Sequence, residues 1–289
     1  MRHSTSFLVV GIAAVGLALA LASPATAQDP DLSEDCATCH EDVAADYQHT
    51  VHGIVERGGP TCVTCHGMGT RHMEEGGDPS LIRVPSGADG EQLCRTCHDD
   101  LATMFSSRSA HSDASVWCGA CHNVHATRPG QTRLLAEPAN DLCASCHPSA
   151  AGSFAKPFGH QLDRGGIQCV SCHDPHAGAG EASLKIDRSG EPACLTCHAE
   201  KRGPFVFPHV SNVAGDCMSC HEPHGSTNPM ALTRPRVDQL CLECHSLIEG
   251  GTFGSQPPSF HDLRSPRYRN CTTCHVAVHG SNTSPMLLK

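Results

Sequence analysis

Aromatic residues are scarce in this 289-residue chain, which has one Trp, two Tyr and eight Phe. Turn-formers are plentiful, with 27 Gly and 20 Pro. Such a chain has few large apolar side chains to set against the entropy of ordering it, so something other than side chains must fill its interior. Positive charge is also short. Lys and Arg number 20 against 30 Asp and Glu, and no basic cluster offers the footprint of a nucleic-acid partner. Beyond the first two dozen residues no apolar run reaches spanning length. Finally, no cysteine stands alone. All 20 fall in Cys-x-x-Cys pairs, and His follows every pair directly.

The N-terminus reads as an export signal. Arg2 supplies a positive start, Phe7 to Ala22 is almost wholly apolar, and Ala25-Thr26-Ala27 gives a small-x-small cleavage site. The expected mature chain begins at Gln28 and is more acidic still, because the signal removes Arg2 and no acid. Export would normally turn 20 cysteines into a disulfide framework, but the spacing argues otherwise.

The ten motifs are Cys36-Ala-Thr-Cys39-His40, Cys62-Val-Thr-Cys65-His66, Cys94-Arg-Thr-Cys97-His98, Cys118-Gly-Ala-Cys121-His122 and Cys143-Ala-Ser-Cys146-His147. They continue as Cys169-Val-Ser-Cys172-His173, Cys194-Leu-Thr-Cys197-His198, Cys217-Met-Ser-Cys220-His221, Cys241-Leu-Glu-Cys244-His245 and Cys271-Thr-Thr-Cys274-His275. This is the c-type haem attachment signature. Two thiols add to the haem vinyl groups, and the gap between them sets the sulfurs at the vinyl separation. The adjacent His reaches the iron as proximal ligand. Zinc cages pair two Cys-x-x-Cys units without requiring a His beside each, and thioredoxin-like chemistry uses one motif rather than ten. The residues therefore imply ten covalently attached haems c.

The motifs alternate between two kinds. Odd-numbered ones sit in helix-like text such as Glu91-Gln-Leu-Cys94 and Asp238-Gln-Leu-Cys241, and even-numbered ones follow looser, Gly-containing text. The repeat is thus a two-motif segment of about 50 residues, a period that means a stacked array. The expected segments are 28–93, 94–142, 143–193, 194–240 and 241–289. Further histidines recur within them. Between the odd and even motifs lie His52, His111, His160, His209 and His261; after the even motifs lie His72, His125, His176, His224 and His279. Ten more histidines for ten irons imply bis-histidine ligation. His49 is left over, and His52 is the better ligand because its spacing to the next motif matches that of His261. Met68 and Met73 flank His72 and read as gap fillers. Three residues reach at most about 10 Å, too little to span both faces of one haem. His125, His176 and His224, each three residues after a motif His, should therefore serve a neighbouring haem.

The expected fold is a multihaem cytochrome c: mostly irregular with short α-helices, little or no β-structure, and an elongated array of haem-packed segments whose folding depends on haem attachment. Along the whole mature chain the sequence resembles the MtrA/DmsE family of decahaem cytochromes. The resemblance rests on the ten motifs, on Cys62-Val-Thr-Cys-His-Gly-Met-Gly-Thr-Arg-His72 and on the ending Cys271-Thr-Thr-Cys-His-Val-Ala-Val-His-Gly-Ser-Asn282. It implies a periplasmic protein held at the outer membrane inside a β-barrel porin. That barrel would let it pass electrons between periplasmic or inner-membrane donor cytochromes and an extracellular redox partner. A soluble periplasmic electron shuttle and a multihaem reductase are the alternatives. A reductase needs an open iron position, and here every motif ends in His with a second His to spare. The residues thus read as electron transfer rather than catalysis.

Overall fold

The computed structural model describes residues 32–54, 58–126, 133–162, 166–209, 216–245 and 266–288. The export signal and His261 lie outside them. The described chain is made of short helices, single turns and irregular connections. Its longest helix is Asp99–Arg108. Among the described residues, β-structure is confined to the antiparallel pairing of Phe207–Pro208 with Gly280–Ser281 and a few isolated bridges. No helix among them is long and apolar enough to cross a membrane.

The two kinds of motif fold differently, for local reasons. Odd-numbered motifs lie in or run out of the helices Ser33–Ala37, Gly87–Arg95, Ala139–Cys146, Cys194–Cys197 and Val237–Leu242. The motif histidines His40, His98, His147 and His198 then share one conformation, φ between −97° and −114° with ψ between 41° and 53°. Each caps a following element: Glu41–Tyr47, Asp99–Arg108, Pro148–Ser153 and the 3₁₀ turn Ala199–Lys201. Acids in the first turn (Glu41 and Asp42, Asp99 and Asp100) favour the helix dipole, and Pro148 fits the first helical position.

Even-numbered motifs occupy one turn each: Cys62–His66, Cys118–Ala120, Cys169–Cys172, Cys217–Ser219 and Cys271–Thr273. At the fourth, sixth and eighth motifs the chain that follows returns and clasps the motif. In the fourth motif Asn123 N–H donates to Leu134 O at 2.7 Å and Ala136 N–H to Cys121 O at 2.9 Å. Asp174 and Lys185 repeat these bonds at the sixth motif, and Glu222 and Thr233 at the eighth. Each clasp turns on consecutive left-handed residues: Arg133 and Leu134, Ala182 and Ser183, Met230 and Ala231. Non-glycine residues there cost on the order of 1 kcal/mol or more each, so the clasp must hold them.

Side chains build almost no core. Among the described residues, the buried apolar ones are Ala102, Phe105, Leu134, Ala139 and Leu195, spread along the chain. Instead, buried polar seams join one two-motif segment to the next. Ser109 Oγ donates to Pro175 O at 2.6 Å, and Phe158 and Ser226 exchange backbone bonds of 3.1 and 2.6 Å.

Candidate haem-binding centres

The cysteines form a continuous series. Within each segment the first cysteines of its two motifs are in thiol hydrogen-bond contact: Cys36 with Cys62, Cys94 with Cys118, Cys143 with Cys169, Cys194 with Cys217 and Cys241 with Cys271. In two of the pairs the contact splits the thiols. Cys94 is lowered to about 7 and Cys194 to about 6 by the bond from the partner, while Cys118 and Cys217 are raised. Between segments the second cysteines approach. Cys65 interacts electrostatically with Cys97, Cys121 with Cys146, and Cys172 with Cys197; Cys220 likewise meets Cys241. Motifs 1 to 10 are therefore neighbours in chain order, with no step missing.

Nine motif histidines face a second histidine ring across a gap of nearly constant width. The pairs are His40–His72 (6.2 Å between ring centres), His66–His125 (5.8 Å), His98–His52 (5.9 Å), His122–His176 (6.0 Å) and His147–His111 (6.0 Å). They continue with His173–His224 (5.9 Å), His198–His160 (6.1 Å), His221–His279 (6.3 Å) and His245–His209 (6.2 Å). Two metal–imidazole bonds of about 2 Å, plus about 1.1 Å from each nitrogen to its ring centre, sum to roughly 6.2 Å. The gap thus fits one iron between each pair. The tenth motif histidine, His275, has its expected partner His261 outside the described residues. His49 is exposed and His52 stands in the pair. Met68 and Met73 are exposed.

The pairing has a rule that spacing alone leaves open. Histidines between odd and even motifs face forward: His52, His111, His160 and His209 each meet the odd motif of the next segment. Histidines after even motifs face backward: His125, His176, His224 and His279 each meet the even motif of the previous segment. Adjacent segments thus exchange histidines reciprocally. His72 has no previous segment, and it faces His40 of its own.

Over 272 residues the chain is 31% identical to the multihaem cytochrome MtrA of Shewanella baltica strain OS185, covering 88% of this chain and 79% of that one. The chain belongs to the MtrA family of multihaem c-type cytochromes. A family model of a doubled CXXCH motif matches residues 111–152, 160–203 and 209–249, opening each time at a forward-facing histidine. The multihaem cytochrome MtrC of the same strain is 27% identical over 153 residues, 53% of this chain and 19% of that protein.

In this MtrA-family chain the surroundings orient the imidazoles. At every even motif the ring Nδ1 meets a backbone carbonyl, which can only accept, so Nδ1 carries the proton and Nε2 is left for the metal. The acceptors are Arg83 O for His66 (2.8 Å), Arg133 O for His122 (2.9 Å), Ala182 O for His173 (2.9 Å), Met230 O for His221 (2.9 Å) and Met286 O for His275 (2.6 Å). Three of these carbonyls belong to the left-handed residues of the clasp, which gives that backbone strain a role. Among the second histidines, His72 donates to Asp78 O (2.8 Å) and His160 to Pro223 O (3.0 Å), whereas His52 Nδ1 is buried without a partner. Burial lowers the pKa of His52, His125, His176, His209, His224 and His279, favouring the neutral form that a metal requires. The three clasp carbonyls left a signal in the sequence: a Leu at positions 135, 184 and 232, two residues beyond each of them.

Proposed function

We propose that the mature protein carries ten haems c, one per motif, each iron held between two imidazoles, and that it conducts electrons from one end of the array to the other. His40, His66, His98, His122, His147, His173, His198, His221, His245 and His275 serve as proximal ligands. The paired second histidines are the distal ones, and His261 is left to complete the tenth site. The haem irons supply the one-electron chemistry. The protein's part is to fix their spacing and keep their axial positions filled.

One observation carries this reading: motif sulfurs from Cys36 to Cys271 follow one another in chain order, hydrogen-bonded within each segment and within electrostatic range between segments. Electron transfer over short steps needs cofactors close together, and each thioether pins a macrocycle edge to its sulfur. A second imidazole opposite the motif histidine at each of the nine described sites would leave a bound iron no open position there, which favours conduction over reduction of a small molecule.

The export signal directs the chain to the periplasm. Its polar surface would suit the polar interior of an outer-membrane β-barrel, and ten macrocycles in a row can outreach a bilayer of about 40–45 Å. In this arrangement periplasmic or inner-membrane cytochromes feed one end, and an extracellular redox partner takes electrons from the other. Intact-mass measurement on protein matured with its haem-ligation machinery should show ten haems. For conduction, the cytochrome and its barrel together in liposomes should let a bulky, membrane-impermeant reductant outside reduce a dye trapped inside. Either component alone should not. Failure of the complete pair would leave the soluble shuttle as the better account.

A further inference from the structure

The backward-facing histidines share a setting. Seven residues after each of four odd-motif histidines stands an aromatic: Tyr47 after His40, Phe105 after His98, Phe154 after His147 and Phe205 after His198. The first three of these rings lie against an incoming backward-facing histidine. Tyr47 is 6.4 Å from His125, Phe105 is 6.4 Å from His176, and Phe154 is 5.1 Å from His224. In the fourth case Phe205 lies against the backbone beside His279: a Cβ on Gly280 would sit 2.2 Å from its Cδ2. In every case the aromatic and the even motif it guards belong to one segment, and the histidine comes from the next.

The incoming strand is matched to this wall. The residue after the histidine is always small: Ala126, Ala177, Gly225 and Gly280. Both glycines are at positive φ, +129° and +142°, and a Cβ on Gly225 would lie 2.3 Å from Ser153 O. By contrast His72, which faces its own segment, is followed by Met73. Phe105 is among the few deeply buried apolar residues of the chain, and Tyr47 further ties its ring down by donating to Pro60 O at 2.6 Å.

We infer that Tyr47, Phe105, Phe154 and Phe205 are positioning residues: with the small residue after each backward-facing histidine, they form a socket that seats a ligand donated by the neighbouring segment on the iron of an even-numbered haem. The inference rests on bis-histidine ligation. A ring wall of this kind removes rotamer freedom from the imidazole without bonding to it, so the ligand stays in place although it arrives from another segment. Loss of the wall frees the imidazole to rotate off the iron while covalent attachment keeps the haem.

The test is the spin state of the haem-loaded protein. Wild-type protein comes first: if its iron is not low-spin, ligation itself fails and the socket is not at issue. In Phe154→Ala close to one tenth of the iron should become high-spin and, once reduced, bind carbon monoxide. That signal should vanish when Cys169 and Cys172 are also replaced, which deletes the sixth haem. Phe154→Tyr should restore the low-spin state. Phe158→Ala, which removes an exposed ring, should change nothing. If Phe154→Ala does not assemble, Phe154→Leu keeps most of the apolar volume and should show the same change in part. Full low-spin iron and no carbon monoxide binding in a haem-complete Phe154→Ala or Phe154→Leu protein would overturn the socket. So would a high-spin signal that survives deletion of the sixth haem.

Discussion

His125 separates ligand exchange from simple neighbourhood most sharply. It lies three residues after His122 in the sequence, yet its ring faces His66 at 5.8 Å, while His122 faces His176 at 6.0 Å. Replacing His125 by Ala should therefore open the second haem and leave the fourth untouched. One site in ten is affected, so a tenth of the iron should turn high-spin in electron paramagnetic resonance, with an equal amount of carbon monoxide bound on reduction. The methyl of Ala cannot reach the iron, and Tyr47, which packs beside the ring, has its hydroxyl committed to Pro60 O. Burial also raises the pKa of its phenol and holds it protonated, so it cannot readily ligate as phenolate. Two further variants locate the opened site. Removing Cys62 and Cys65 in the His125→Ala background should abolish the high-spin signal; removing Cys118 and Cys121 should leave it. The reverse pattern would refute the exchange and with it the pairing derived from the ring gaps.

Other outcomes follow from the same geometry. His52→Ala should yield one high-spin haem, the third, and His49→Ala none, because His52 faces His98 and His49 is exposed; the same count by resonance decides it. Acid should act in one direction. Burial holds the pKa values of His125, His176, His224 and His279 below the ordinary imidazole value, so the contribution of these four is fully present above about pH 6.5 and lost as pH falls below it. The low-spin spectrum should hold at neutral and alkaline pH and fade only on acidification; loss beginning above about pH 7.5 would contradict this.

The attachment residues were legible because covalent chemistry fixes their spacing: a thioether pair and its ligand need five consecutive positions, and nothing else in the chain competes for them. The irregular fold was legible for the complementary reason, since so few aromatics and so many glycines leave side chains unable to build a core. Chain reach argued against pairing His125, His176 and His224 with the motif histidine three residues before each, and their rings face other motif histidines. It could not give the direction of travel, because about 50 residues of irregular chain can run either way. The aromatic seven residues past four of the odd-motif histidines and the small residue after each backward-facing histidine went unread for a different reason. Each is unremarkable by itself and has meaning only against a residue of the next segment.

Reciprocal exchange makes the segments dependent in a way that attachment alone would not. Between the second and third segments, His111 passes forward to face His147 and His176 passes back to face His122, with Ser109 and His111 also bonded to Pro175 O at the crossing. A chain divided at residue 142 keeps every motif intact but strands one ligand on each side. Residues 28–142 hold the fourth motif without His176, and residues 143–289 hold the fifth without His111. Each half, exported and matured separately, should therefore carry one high-spin haem, the fourth in one half and the fifth in the other. Mixing them should return both to low spin, because each half brings the ligand that the other lacks. If the halves are wholly low-spin when apart, ligation is completed within each half, and the halves are joined by the polar seams without shared ligands.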